Sequence, residues 1–519
     1  MRLSRTLLFT ALHARVLVAG LVALAVAGGA ALTTAQEAKA ETLRMAVPTD
    51  PSSLDPAFWL STTDQYLINN LFPKLIRYKT SDTWEWELGD VDKFEWIDSQ
   101  TIEFSLRPGM MWTNGYGEVT AEDVEFSFER HLDEELASWN YMEFESLVDV
   151  EVTGTYSGVI KLSRPLPEFN NSPLAWVPGA IISKEATLAV GGTFSTEPPA
   201  TSGPYKIQEI ASGERIVLVR DENWTGVQGA YDEIHLIPIA DENARIIAFE
   251  AGEIDWLHTS AGMIPALEAN MPAGATMEVR ETTDPLWLGM TIANPDLADI
   301  NVRKAIQMAI DVDTIIQAVY AGHAKRATGL IGPTLSGYRD ISPLARDVAT
   351  AKMMIDEAGA SGLTLQLDHV NTTEMMTAGQ IVQANLAEIG INVVLNPLDE
   401  GTFWNLNWDV GAGMQLHFVE WVGNPTPSYF VKWFTPGDFW NWEAFESEEY
   451  VALLNQALSE ADEANRNRMY QDLQAMMEDS GAFVFITQPP SVVLYRDSVQ
   501  PSMYPDGHPV FNQFGMSGS

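Results

Sequence analysis

Residues 101–132 read TIEFSLRPGMMWTNGYGEVTAEDVEFSFERHL, and this stretch restricts the fold more than any other. It opens with strict alternation, Ile102, Phe104 and Leu106 on one face and Glu103, Ser105 and Arg107 on the other. A period of two is that of a strand with one face against a core. Pro108-Gly109 ends the strand, and Asn114-Gly115 makes a second turn. Thr120 then stands as a helix N-cap, with Asp123 three residues on to complete a capping-box-like pair. Val124, Phe128 and His131/Leu132 recur at helical spacing, while Glu122, Glu125 and Glu129 face outward. Strand, turn, turn and capped helix in one short span predict a mixed α/β fold.

A chain of 519 residues with no cysteine is held by its core, not by disulfides. Arg2, Arg5 and Arg15 precede an apolar run at 16–32, and Ala38-Lys39-Ala40 offers a small-x-small cleavage site before Glu41. The run is short and rich in Ala and Gly, and no later stretch reaches the roughly 18 apolar residues of a membrane span. No Cys near the cleavage point could carry a lipid. The expectation is a signal peptide over 1–40, cleaved near Ala40, and a soluble exported chain without membrane insertion. In a bacterium with two membranes that place is the periplasm. Cleavage leaves 26 basic and 70 acidic residues, a net charge of −44. That sign excludes nucleic acid and anionic lipid as partners. Acidity keeps an exported protein soluble and does not by itself identify a ligand.

Further along, 301–310 is an amphipathic helix with Val302, Ala305/Ile306 and Ala309/Ile310 on one face. A second helix runs from Asp313 to Gly322. Strands at 363–367 and 391–395 alternate with helices ending at Gly359 and Gly390, and helices at about 448–458 and 464–479 precede a strand at 482–487. Strands separated by helices predict a largely parallel sheet here.

Several of these blocks carry a resemblance. L-R-x-G-x-x-W followed by T-A-E-D-V-x-F-S-F-E-R (106–130), NVRKAIQMAIDVDTIIQAVYAG (301–322) and PPATSGPYK (198–206) lie in the same order in one family. They resemble the bacterial extracellular solute-binding proteins of family 5, which serve dipeptide, oligopeptide and nickel importers of the ABC type. The resemblance spans about 45 to 500. Ser202 departs mildly from the Thr usual in the third block.

The resemblance implies an α/β, two-lobed periplasmic-binding-protein clamp with an extra subdomain inserted in the first lobe. Its divisions fall at 41–85 (opening segment of lobe I), 86–185 (inserted subdomain), 186–285 (middle segment of lobe I), 286–487 (lobe II) and 488–519 (return to lobe I). It implies a monomer that captures a peptide or similar small molecule between the lobes. Delivery is to a permease whose ATPase subunits supply the energy, since no nucleotide loop occurs in the chain. A non-peptide solute (sugar, opine-like or another small compound), a sensory binding protein built on the same clamp, and more remotely a periplasmic chaperone or hydrolase are the alternatives.

Chemistry of other kinds is lacking in the sequence. No G-x-S-x-G, H-E-x-x-H or G-x-x-x-x-G-K-[ST] occurs. The seven His after residue 40 (131, 235, 258, 323, 369, 417, 508) stand more than four residues apart. No catalytic group, metal site or cofactor is expected.

Six of the sixteen Trp fall at 404, 408, 421, 433, 440 and 442. Flat aromatic faces with a polar N–H suit a closing cleft, although ordinary core packing is the favoured reading for most of the six, Trp421 excepted. By resemblance the loop Trp59, Ser61, Thr62 borders the cleft, and Trp404, His417, Glu420, Trp421, Gly423 and Asn424 line it. Peptide-binding relatives carry W-x-x-D, whose Asp pairs with a peptide α-ammonium. Here Trp421-Val422-Gly423-Asn424 puts Asn in that place. Asn accepts a hydrogen bond but cannot neutralise a charge. The expectation is a ligand other than an ordinary free-amine dipeptide, or a substitute carboxylate such as Glu420. His417 is considered because nickel relatives depend on a pocket His.

Overall fold

A parallel strand at Thr42–Val47 is the centre of the first sheet, with Leu43, Met45 and Val47 fully buried. Parallel strands covered on both faces read as apolar runs, as this one does. In this computed structural model, which describes residues 41–404 and 413–515, that sheet has seven strands. Their order is Ala275–Arg280, Ser491–Arg496, Trp256–Ser260, Thr42–Val47, Glu233–Pro238, Arg215–Arg220 and Tyr205–Ala211. Thr42–Val47 runs parallel to both neighbours, and the outer pairings are antiparallel.

The opening block forms as its pattern predicts. Thr101–Leu106 lies inside a four-stranded antiparallel sheet ordered Val91–Asp98, Thr101–Leu106, Ser157–Leu162, Leu147–Val152. Ile102, Phe104 and Leu106 are buried. Asn114 and Gly115 both have positive φ, 61° and 83°. The Asp123 carboxylate accepts the Thr120 N–H at 2.8 Å, and the helix Ala121–Glu129 follows. It docks through a buried ion pair, Arg130 Nη1 to Asp55 Oδ1 at 2.5 Å and Nη2 to Oδ2 at 2.9 Å.

The second large sheet has five strands: Asn392–Leu398, Thr364–Val370, Leu416–Glu420, Leu286–Met290 and Phe483–Thr487. The first three pair in parallel; the last two add antiparallel. The expected largely parallel sheet is therefore a mixed one. Parallel pairing holds where helices intervene. Leu286–Met290 and Phe483–Thr487 are the strands that pass to the first sheet; Leu286–Met290 alone runs against the other four, and Phe483–Thr487 has the direction of the parallel three. Among the described residues no helix is long and apolar enough to cross a membrane.

Candidate functional site

The chain crosses between the two large sheets twice. Residues 281–285 lead from Ala275–Arg280 to Leu286–Met290, and 488–490 lead from Phe483–Thr487 to Ser491–Arg496. The loop after Leu416–Glu420 lies on the first crossing. Trp421 N–H donates to the Pro285 carbonyl at 3.2 Å, and Gly423 N–H donates to the Asp284 carboxylate. Position 423 requires glycine, because a Cβ there would overlap Thr283 and Asp284 Oδ1.

The same loop reaches across to the first lobe. Asn424 Nδ2 donates to Ser172 Oγ at 2.7 Å, and Asn424 Oδ1 accepts the Thr426 N–H at 2.9 Å. Ser172 N–H donates to Thr426 Oγ1 at 2.9 Å, and Ser428 N–H donates to Glu168 Oε2 at 3.2 Å. Lys432 Nζ lies 2.7 Å from Glu143 Oε1 and 4.7 Å from the Trp433 ring centre. These bonds join segments remote in sequence, and Asn424, Ser172, Thr426, Ser428 and Glu168 are all buried where they meet. Beyond the loop, a half-open cavity of about 540 Å³ is lined by Trp84, Glu168 and Asn170 on one side and Leu335, Pro425 and Arg466 on the other.

Two carboxylates stand on the crossing side. Burial pushes Asp284 up to about 6; Asp506 adds repulsion, while the Gly423 N–H and His508 act against the rise. Burial pushes Glu420 up to about 7, with Asp284 and Glu374 adding repulsion. Glu420 is nonetheless exposed. No lysine or arginine is among the groups that shift either acid. The Trp421 ring stacks on Phe434 at 5.6 Å and meets Trp287 edge-on at 5.0 Å and Tyr429 at 6.2 Å.

This architecture has known counterparts. The profile of the bacterial extracellular solute-binding proteins, family 5 Middle, matches residues 92–442. The chain belongs to this family. The oligopeptide-binding protein OppA of Bacillus subtilis is 24% identical over 473 residues, 84% of this chain and 86% of that one. The dipeptide-binding protein of Escherichia coli is 25% identical over 497 residues, 88% and 91% of the two chains. Among solved structures, DppA of Helicobacter pylori in complex with the peptide STSA superposes with a TM-score of 0.80 at 23% identity, covering 91% of this chain and 97% of that one. Family 5 proteins bind solutes and do not transform them, so the chain is a binding protein of an ABC transporter, not an enzyme.

In the structure, the residues singled out from the sequence fall into three groups. Glu420, Trp421, Gly423 and Asn424 come together on the loop just described. Trp404 ends the short helix Glu400–Trp404 and joins Trp421 through Trp440, whose ring is 6.1 Å from Trp404 and 6.2 Å from Trp421. Trp408 lies outside the described residues.

Near the start of the chain, Ser61 caps the helix Thr62–Leu71, its Oγ accepting the Asp64 N–H at 3.1 Å. Thr62 is the first residue of that helix. The Trp59 ring packs on the first-lobe core, and its buried indole N–H has no partner.

His417 is the exception to the cleft reading. It is fully buried, with Nε2 3.1 Å from Glu443 Oε1, which also accepts the Trp287 indole N–H at 2.7 Å. The structure gives this histidine a partner inside the second lobe and does not bring it into the crevice. A lone His on a strand of apolar neighbours carried no signal that could separate the two outcomes.

Tyr429, Ser172 and Glu168 were not singled out from the sequence, whereas Asp284 was legible there only as the start of a junction between lobes at 284–288, not as a site residue. Thr283-Asp284-Pro285 reads as a plain connector, and only its position between two strands of different sheets marks it.

Proposed function

We propose that the protein captures a peptide or comparable small solute in the crevice between its lobes and hands it to an ABC permease. Lobe I then comprises 41–85, the inserted 86–185, 186–285 and the return from 488, with lobe II over 286–487. The residues offered for the solute are Trp59, Trp421, Gly423 and Glu420, joined by Asp284 and Tyr429. Residues 1–40 direct export, and the periplasm is the working compartment.

The observation that carries this reading is the loop at 421–428. It rests on one crossing and hydrogen-bonds across the crevice to Ser172 and Glu168, so it can sense whether the lobes are together. Clamps of this kind close because the solute makes contacts in the closed state that the open state lacks. The H. pylori relative held the peptide STSA. A solved relative from Agrobacterium held mannopinic acid instead, so a peptide is one solute class among those the fold takes. Asn424 in place of the relatives' Asp favours a solute other than a free-amine dipeptide.

Native mass spectrometry of the purified chain, before and after denaturation, tests the reading. It predicts a retained molecule of peptide or small-solute mass, released on unfolding. A preparation that neither retains nor takes up any solute contradicts it.

A further inference from the structure

We propose that the cavity beside Pro425 and Pro427 is a second small-molecule site, one that takes a neutral, polyhydroxylated compound, a sugar or polyol. None of the residues offered above for the solute lines it, so the proposal does not depend on the solute reading.

The cavity has the size and walls of a binding site. Its volume of about 540 Å³ falls within the roughly 300–1,000 Å³ usual for small molecules. One wall is the hairpin tip 83–86 with Glu168 and Asn170. The other is 334–336, the two prolines and the start of the helix Glu463–Asp479, which carries Arg466. Trp84 packs against the apolar core beneath each wall.

Its buried polar groups are short of acceptors. Arg466 is 9% exposed, and its Nε has no hydrogen-bond partner; the nearest acid oxygen, Glu168 Oε1, is 3.6 Å away. Its Nη1 donates to the Glu460 carbonyl at 2.8 Å, and Nη2 donates to nothing among the described residues. Asn170 is 7% exposed. Its Oδ1 accepts the Trp96 indole N–H at 3.1 Å, and its amide N–H₂ has no acceptor among the described residues. The Trp84 indole N–H and the Thr334 hydroxyl are buried without partners as well. Glu168, the buried acid on the cavity, already accepts the Ser428 N–H at 3.2 Å. Folded proteins leave few buried donors unmet. Four side chains with unmet donors on one cavity call for a ligand rich in acceptor oxygens.

Charge narrows the class. Glu85, Glu168 and Glu463 line the cavity against the guanidinium of Arg466, and Glu85 is paired with Lys79 at 2.7 Å. An anion entering here meets net negative charge. A cation brings donors to a place already rich in them. Hydroxyl groups suit both conditions: their oxygens accept from Arg466 and Asn170, and their hydrogens go to Glu463 and Glu85. The Trp84 and Trp86 rings, on the same hairpin, supply flat apolar faces for the C–H side of a sugar ring.

The test uses the mature chain as purified. Glucose is compared with glucuronate and glucosamine, and galactose with galacturonate and galactosamine, by calorimetry and saturation-transfer NMR. The expected result is a neutral sugar that binds with Kd below about 1 mM and at least tenfold tighter than either charged counterpart. Asn170→Asp keeps the acceptor for Trp96 and removes the free N–H₂, and should weaken that sugar at least tenfold. Trp84→Phe and Thr334→Val keep shape and remove one donor each, and should weaken it at least threefold; they decide if Asn170→Asp fails to fold. The solute retained in native mass spectrometry should stay bound beside the sugar. Silence of both neutral sugars, charged counterparts that bind as tightly, affinity unmoved in every folded variant, or displacement of the retained solute each overturn the proposal. A chain that binds the sugar and retains no other solute supports this site and contradicts the solute reading. A chain that retains a solute and ignores both sugars overturns this site alone.

Discussion

The Asn424 amide donates to the Ser172 hydroxyl at 2.7 Å, although the two residues are 252 positions apart. At the position where the resemblance to peptide-binding proteins implies a carboxylate for the ligand, this chain has a bond between two remote segments of its own. Neutral hydrogen bonds of this kind contribute about 1 kcal/mol each. Ser172→Ala and Asn424→Ala are therefore expected to destabilise the closed form by about that much. Solute should dissociate roughly fivefold faster from either variant in stopped-flow measurements. Because the two share one bond, the double variant should fall well short of the sum.

Asp284 and Glu420 predict a pH dependence with a definite sign. Burial holds both above the usual carboxylate range, at about 6 and about 7. The folded protein therefore keeps protons that the unfolded chain gives up above about pH 4. Their favourable contribution is complete below about pH 4 and is lost as pH rises through about 6 and about 7. In the solute-free protein, Glu420→Gln and Asp284→Asn should leave Tm almost unchanged near pH 4 and raise it above the parent's near pH 8. Calorimetric scans across that range check it.

His417 tests the distinction between ligand and core. With Glu443 it forms a buried pair, 0% and 1% exposed, and removal of one partner leaves the other uncompensated. His417→Ala is expected to destabilise by about 3–5 kcal/mol, with solute affinity of the remaining folded protein unchanged. Gly289 adjoins the same pair, and a Cβ there would overlap His417 Nε2 and Glu443 Oε1. Gly289→Ala should destabilise by about 1–3 kcal/mol, again read as a lower Tm with intact binding.

Arg130 predicts a purely structural loss. It grips Asp55, which is fully buried, through two bonds and also donates to the Gly192 carbonyl at 2.9 Å. Arg130→Met strands the Asp55 charge and should destabilise by about 3–5 kcal/mol, measured as a lower urea midpoint.

Local grammar carried much of the fold. Alternation at 101–106, the Asn114-Gly115 turn and the Thr120/Asp123 cap all act over a few residues, and the structure forms each of them. Strand direction in the second sheet was harder, because Leu286–Met290 takes its orientation from a crossing to another sheet and not from a neighbouring helix. At the site, Trp421 and its loop could be found by resemblance. Ser61 shows where that method stops: a hydroxyl that borders a cleft and one that caps a helix look alike in sequence. Asp284 shows the converse, a short connector whose importance comes only from the two lobes meeting around it.

The central claim is a clamp that closes on a solute. Small-angle X-ray scattering of the stripped protein, before and after its retained solute is returned, tests it most directly. The account predicts a smaller radius of gyration with solute, and a profile for the stripped Asn424→Ala variant shifted further toward the open form. Identical profiles with and without a solute that demonstrably binds would contradict it.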